Sequence, residues 1–125
     1  MKKITKKLIK EYLKMKLGND VAWQKKALIK IYEFQTDDEQ YRETTFHNNN
    51  IGFTGSDAEI LTSITKQYLT KNFISPKQQS IVAKKMLKYW KQILTISDPN
   101  KLLQCMVNDN YISKADAFIH ITANN

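Results

Sequence analysis

Four lysines recur on one side of the segment 75–94, at a spacing that could bind a polyanion. The segment SPKQQSIVAKKMLKYWKQIL contains five lysines and no acid. On a helical projection, four of them fall within about 60° of one another: Lys77, Lys84, Lys88 and Lys91. The first and last would lie ~21 Å apart along a helix axis, enough to follow three or four phosphates. The row is therefore a candidate nucleic-acid contact surface, although a solvated helix face shows the same pattern.

A second basic face is predicted near the start of the chain. Residues 2–17 place apolar side chains on one side of a helix at a 3.6-residue period, with lysines on the other. These lysines are Lys3, Lys6, Lys7, Lys10 and Lys14. Two such faces in one small domain make nucleic-acid binding as good an interpretation as simple solvation.

The aromatic residues of segment 75–94 project away from its lysine row. Tyr89 and Trp90 fall in the apolar arc with Val82, Met86 and Ile93. That position favours packing in the core over stacking on bases. An isoleucine at 81 interrupts the lysine row, which would be unusual on a purely solvated face.

The other chemically active residues do not form a catalytic or metal-binding pattern. His47 and His120 are the only histidines, and neither has a known metal-ligand spacing. Cys105 is the only cysteine, which excludes an internal disulfide. The acids Asp37 and Asp38 lack the second carboxylate cluster that a two-metal nuclease needs. We therefore expect a protein that is not an enzyme and that uses no metal or other cofactor.

The charge of the chain favours a polyanionic partner. Its net charge is +8 and its pI about 9.5, which suits nucleic acid or an anionic membrane surface. Residues 1–34 and 60–94 each carry a net +7, and they flank an acidic block, 35–59, of net −5. All but one of the 20 basic residues are lysine. Because lysine is a flexible point charge, this composition favours phosphate contact over base reading.

Apolar periodicity and capping signals predict helices throughout. We expect helices at 2–17, about 20–39, about 56–70, 75–95 and from 98 onward. The last segment, from 113 to about 122, fits either a helix or a strand. Residues 44–56, rich in asparagine and glycine, predict an irregular loop in which a short hairpin is an alternative. The prediction is an all-α, compact, single-domain bundle of about five to six helices over residues 1–125.

Three serines mark helix starts in this scheme. Ser75, followed by Pro76 and Gln78, predicts a capping box. Ser56 with Glu59 has the same spacing and predicts a second one. Ser113, followed by Lys114, Ala115 and Asp116, could cap the last helix, and Ser97-Asp98-Pro99 predicts the start of the helix before it.

No segment of the chain predicts a membrane anchor. The longest apolar runs fall well short of the 18 residues that a spanning helix needs. The basic start is not followed by the apolar run and cleavage site of a secretory signal. An amphipathic helix at 2–17 could lie on an anionic membrane, but it has no Trp or Phe anchor. We expect no membrane partner and a cytoplasmic location.

The middle of the chain, residues 31–94, contains four distinctive motifs: QTDDEQ, the NNNIGFTGSDAE block, the helix start SPKQ and the closing KYW. In these motifs the segment resembles a small uncharacterised helical module that is common in phage and mobile-element proteins. The resemblance implies a phage or mobile-element origin and a nucleic-acid setting, and it supplies no catalytic residues. The basic N-terminal helix and the short C-terminal helices, 98–122, lie outside it.

These observations together predict a small nucleic-acid-binding protein that contacts phosphates through its lysine-rich helix faces. The sequence does not specify whether the partner is DNA or RNA. The alternative is a phage-encoded inhibitor or adaptor that binds a nucleic-acid-associated host protein, for example a CRISPR effector. The positive charge argues against an inhibitor that mimics DNA by acidity.

Overall fold

Most of the chain that the structure describes is helical. The computed structural model describes residues 3–42 and 51–123, with side chains for 3–36 and 51–122. Its elements are α1 (Lys6–Asn19), α2 (Val21–Arg42), α3 (Asp57–Lys71), α4 (Pro76–Met86), a 3-10 turn (Leu87–Tyr89), α5 (Trp90–Ile96), α6 (Pro99–Asn108) and α7 (Lys114–Ala123). No strand occurs among these residues. The predicted all-α bundle is confirmed, with α4, the turn and α5 together forming one of six rods. The predictions for Asp37, Asp38 and His47 concern side chains outside the described set.

The first helix begins four residues later than predicted. Thr5 has extended backbone angles, and its Oγ1 accepts a hydrogen bond of 3.2 Å from the backbone N–H of Leu8. A threonine in this geometry is the N-cap at which the helix begins, because its hydroxyl replaces the missing backbone acceptor. Lys3 therefore precedes the helix instead of lying on its basic face.

Asp20 joins α1 to α2 without an intervening loop. Its backbone is extended and its N–H bonds the carbonyl of Lys16, which closes α1. Its Oδ1 accepts a hydrogen bond of 3.2 Å from the N–H of Trp23, which satisfies a free donor at the start of α2. One residue thus ends the first helix and caps the second.

The core lies where α1, α2 and the α4–α5 rod meet. Helix α1 packs against α2, α4 and α5, and α2 packs against α3 and α4. The fully buried side chains at this junction come from four helices and the 3-10 turn: Tyr12, Leu13, Leu17, Leu28, Ile31, Leu61, Ile64, Val82, Met86 and Tyr89. Tyr89 is a core residue, as the helical projection predicted.

Glutamine side chains anchor the described end of the irregular loop. Ile51 and Phe53 are buried. Between them, Gly52 exchanges two 3.0 Å hydrogen bonds with the Gln92 amide, one through its N–H and one through its carbonyl. The N–H of Phe53 bonds Gln35 Oε1 at 2.9 Å. These side-chain amides bond the backbone groups that a neighbouring strand would otherwise bond. Residues 51–56 form no hairpin.

The two predicted capping boxes had different outcomes. At α4 the box is complete: Ser75 Oγ accepts from the N–H of Gln78, and the Gln78 side chain accepts from the N–H of Ser75. At α3 the prediction was wrong, because the Ser56 side chain makes no cap hydrogen bond. A backbone turn starts α3 instead, with Gly55 at a φ of +45° and Asp57 N–H bonded to the Thr54 carbonyl.

The C-terminal part consists of two short helices that pack on each other. Asp98 caps α6 by accepting from the N–H of Asn100 at 2.9 Å, and Ser113 caps α7 by accepting from Asp116 N–H at 3.0 Å. The last segment is therefore a helix and not a strand. Within the described ranges, no helix combines the length and apolarity needed to cross a membrane.

Candidate nucleic-acid interface

Helix α1 runs antiparallel along the α4–α5 rod. Near the end of α1, Gly18 faces Leu87 so closely that an added Cβ would lie 3.2 Å from Leu87 Cδ2. Two turns earlier in α1, the Nζ of Lys10 lies 5.0 Å from the ring centroid of Trp90. Moving backward along α1 thus corresponds to moving forward along the rod.

This contact places Lys14 beside the rod as well. Residues four apart lie on one row of a helix, so Lys10, Lys14 and Gly18 share a row of α1. Lys10 and Gly18 both contact the rod, and Lys14 lies between them. Both lysines are exposed. Their ammonium groups therefore border the line where the two helical elements meet.

Lysines of the rod border the same line. Lys84 lies one turn before Leu87 and Lys91 one turn after it. Both are exposed, and Leu87 itself keeps 36% of its surface accessible. We call the surface formed by Lys10, Lys14, Lys84 and Lys91 around Leu87 and Trp90 the basic seam.

The lysines of the basic seam have no acidic partner in the described part of the chain. The ion pairs found there involve Lys16, Lys85 and Lys88 instead. Even in water, each pair of like charges ~10 Å apart repels by roughly 0.4 kcal/mol. Binding of an anion would relieve this repulsion.

The ammonium group of Lys88, in contrast, is held within the protein. The side chain of Asp57 has no solvent exposure and is bound by Lys85 Nζ at 2.7 Å, by Lys88 Nζ, and by the Tyr89 hydroxyl at 2.8 Å. Tyr89 Oη also accepts from the N–H of Thr54 at 3.0 Å. The acid at the start of α3 is thus tied to the 3-10 turn and to the loop before it.

The bound donors keep Asp57 ionised. Burial alone raises its pKa, but the hydrogen bonds from Lys85, Lys88 and Tyr89 outweigh burial and lower the pKa to about 2. The same carboxylate raises the pKa of Lys88 through its hydrogen bond. Lys88 is half exposed, yet its charge is partly neutralised before any ligand arrives.

The ion pair with Asp57 divides the predicted row, because it holds Lys88 within the protein while Lys84 and Lys91 on either side of it form no ion pair with a described acid. Among the nine predicted contact lysines, Lys10, Lys14, Lys84 and Lys91 are exposed at positions that helical spacing puts beside the α1–rod contact. Five remain: Lys88, which pairs with Asp57, and four exposed lysines outside the seam, Lys3, Lys6, Lys7 and Lys77. Ile81, which interrupts the row, is half-buried against the core.

A second polar cluster links α1 to the end of α6. The Tyr12 hydroxyl donates to Asp109 Oδ2 at 2.7 Å, and Lys16 Nζ lies 3.0 Å from the same oxygen and 3.1 Å from Asp20 Oδ2. Burial, followed by the bond to Asp109, raises the pKa of Tyr12 far above its usual value. The bonds from Tyr12 and Lys16 lower the pKa of Asp109. All the members are paired with one another, which suits a structural role.

The described residues contain no group of His, Cys, Asp and Glu side chains that could hold a metal ion. His120 lines a pocket of about 300 Å³ with residues of α1, α5 and α6. Cys105 is a free thiol, half-buried in α6.

Neither the Asp57 cluster nor the basic seam could be read from the sequence. Asp57 is 28 residues from Lys85 and 32 from Tyr89, and its position after Ser56 predicted only the start of a helix. The closest signal is the group Lys85, Lys88 and Tyr89, which shares one side of the rod. The sequence contains no signal that pairs α1 with this rod.

No protein-family model matches the chain, and no curated protein or solved structure shows significant similarity to it. The resemblance to a phage and mobile-element module stays a prediction.

Proposed function

We propose that this protein binds nucleic acid by contacting phosphates through the basic seam. The observation that supports the proposal most directly is the 5.0 Å approach of Lys10 Nζ to the Trp90 ring. It joins lysine rows from two distant parts of the chain into one exposed surface. Lys10, Lys14, Lys84 and Lys91 have no acidic partner among the described side chains. A phosphate backbone supplies the anions that such a surface lacks.

The chemistry of the cations defines the mode of binding. Lysine ammonium groups act as mobile point charges and do not form the planar fork with which arginine reads guanine. The proposed protein therefore holds its ligand by the backbone, with little sequence preference, and performs no reaction on it. A phage or mobile-element origin and action in the cytoplasm of a host cell belong to the same proposal.

A pair of charge-matched variants tests the seam. The seam variant is Lys10→Ala/Lys14→Ala/Lys84→Ala/Lys91→Ala. The control variant, Lys66→Ala/Lys71→Ala/Lys101→Ala/Lys114→Ala, removes four exposed lysines elsewhere. Mobility shift and fluorescence anisotropy would measure affinity for DNA and RNA, both single- and double-stranded. At about 50 mM salt we expect the seam variant to bind about 100-fold more weakly and the control less than about 5-fold more weakly.

Two results would contradict the proposal. If both variants lost affinity equally, only the overall charge would matter and the seam would not be the site. If the wild-type protein failed to bind any of the four ligands at about 50 mM salt, nucleic-acid binding itself would be rejected.

Exposed apolar side chains on α7 favour a second candidate function, binding of a host protein as an inhibitor or adaptor. Phe118 is 67% exposed and the adjacent Ile119 is 43% exposed. Large exposed apolar side chains next to each other are more typical of protein interfaces than of phosphate-binding surfaces. A host protein captured after nuclease treatment, and lost with Phe118→Ser, would support this function. Capture that the nuclease abolishes would support nucleic-acid binding.

A further inference from the structure

The basic seam contains apolar surface between its charges. Leu87 lies between Lys84 and Lys91 on one row and keeps 36% of its surface accessible. Trp90 is half-buried, and the ammonium group of Lys10 lies over its ring. A surface that bound phosphates alone would gain nothing from an exposed leucine and a half-buried indole at its centre.

The contact between Lys10 and Trp90 can be replaced at little cost. A cation–π contact at an exposed site stabilises by about 0.5–1 kcal/mol, whereas a base stacked on an aromatic ring contributes roughly 1–3 kcal/mol. The ammonium group stands on a flexible four-carbon chain. A base could therefore take its place over the ring, while Lys10 moves to an adjacent phosphate.

Resting on the proposed function, we infer that the seam binds a single strand, with one base stacked on Trp90. In a duplex each base already stacks on its neighbours, and only its edges are open in the grooves. The flat face of an indole has no partner there. A single strand offers both its phosphates and its base faces, which match the lysines and the apolar centre of the seam.

The two tryptophans allow a direct optical test. Trp23 lies outside the seam, with its ring edge-on to Tyr12 and 5.8 Å from Lys16 Nζ. The variant Trp23→Phe leaves Trp90 as the only indole. On titration with short oligo(dT) or oligo(U) we expect strong quenching of its fluorescence, and on titration with a duplex of the same length we expect little.

Affinities measured by anisotropy provide a second, independent readout. Trp90→Leu keeps an apolar side chain and removes the stacking surface. We expect it to weaken single-strand binding about 10-fold and duplex binding less than about 2-fold. Trp23→Phe serves as the control and should change neither affinity by more than about 2-fold. Circular dichroism would show that each variant is folded.

The outcomes separate this inference from the proposed function. Duplex binding as tight as single-strand binding, with no quenching of Trp90 and no effect of Trp90→Leu, would overturn the inference and leave phosphate binding in place. Failure of both ligands to bind would reject both. Two results together would establish the stacked mode: quenching of Trp90 fluorescence by the single strand, and a preference for the single strand that Trp90→Leu abolishes.

Discussion

The ammonium group of Lys88 forms an ion pair with the carboxylate of Asp57, a side chain that has no solvent exposure. Lys91, one turn further along the rod, has no described acid within reach. Two lysines that look equivalent on a helical projection thus have different electrostatic environments. One charge supports the fold, and the other is free to meet a ligand.

This difference predicts opposite effects of two single substitutions. Lys91→Ala should weaken nucleic-acid binding about 3- to 5-fold and leave stability within about 0.5 kcal/mol. Lys88→Ala should weaken binding less than about 2-fold, because its charge is already neutralised in part, and should lower stability. Anisotropy and urea unfolding would measure the two effects. Equal losses of affinity would show that Lys88 contacts the ligand despite its ion pair.

Acid should destabilise the fold through Asp57. The pKa of this carboxyl, about 2 in the folded protein, lies below its unfolded value of 3.8, so the folded state binds the proton less readily. The stability that results is present above pH ~4 and is lost as the pH falls toward 2. Asp57→Asn should cost roughly 1–3 kcal/mol at neutral pH and should reduce the loss below pH ~4. Urea unfolding at a series of pH values would show both effects. If the free energy of unfolding of Asp57→Asn fell below pH ~4 as steeply as that of the wild type, the loss of stability would belong to other carboxyls.

Alkali should act on Tyr12. Because burial and the bond to Asp109 raise its pKa above the usual 10, the folded state favours the neutral phenol. Its contribution to stability is therefore present below pH ~10 and is lost as the pH rises above that value. In an absorbance titration of tyrosinate formation, at least one tyrosine should ionise only as the chain unfolds. Tyr12→Phe should remove that late step, and its persistence would show that another tyrosine is responsible.

Salt should weaken binding to an extent set by the size of the seam. Four phosphates on a single strand predict a slope of log affinity against log salt of about −2.8, or a loss of roughly 50-fold between about 50 and 200 mM. The predicted surface of nine lysines, by contrast, would engage about five phosphates and give a steeper slope. Affinities at several salt concentrations would measure the slope. A slope near zero would contradict phosphate contact altogether.

Replacing Ser75 or Ser56 by alanine should lower the stability of the protein by different amounts. Ser75→Ala removes a complete capping box and should cost about 1 kcal/mol. Ser56→Ala removes a side chain that makes no cap hydrogen bond, so it should change stability by less than about 0.5 kcal/mol. Chemical unfolding of the two variants would compare them directly. A similar cost at both positions would mean that Ser56 caps α3 in solution.

Much of the fold could be predicted from the sequence, because helices are specified locally. Apolar spacing located α1, α2, α3 and α6 to within a few residues. It predicted one helix over 75–95, which a 3-10 turn divides into α4 and α5, and it left α7 open between a helix and a strand. Ser75, Ser97-Asp98-Pro99 and Ser113 mark starts that the structure confirms. Each of these signals acts within about one turn of helix. The prediction at Ser56 was wrong because the preceding turn at Gly55 starts the helix through backbone hydrogen bonds.

The candidate site depends on contacts that join distant segments. Sequence alone determined the helical class, the excess of lysine and the placement of Tyr89 in the core. Tertiary structure decided which lysines share a surface, since Lys10 contacts Trp90 across 80 residues of chain, and which lysine is withdrawn, since Lys88 pairs with Asp57. The physical reason is range: capping and periodicity act over one or two helical turns, whereas the electrostatic environment of a charge depends on every segment that the fold brings near it.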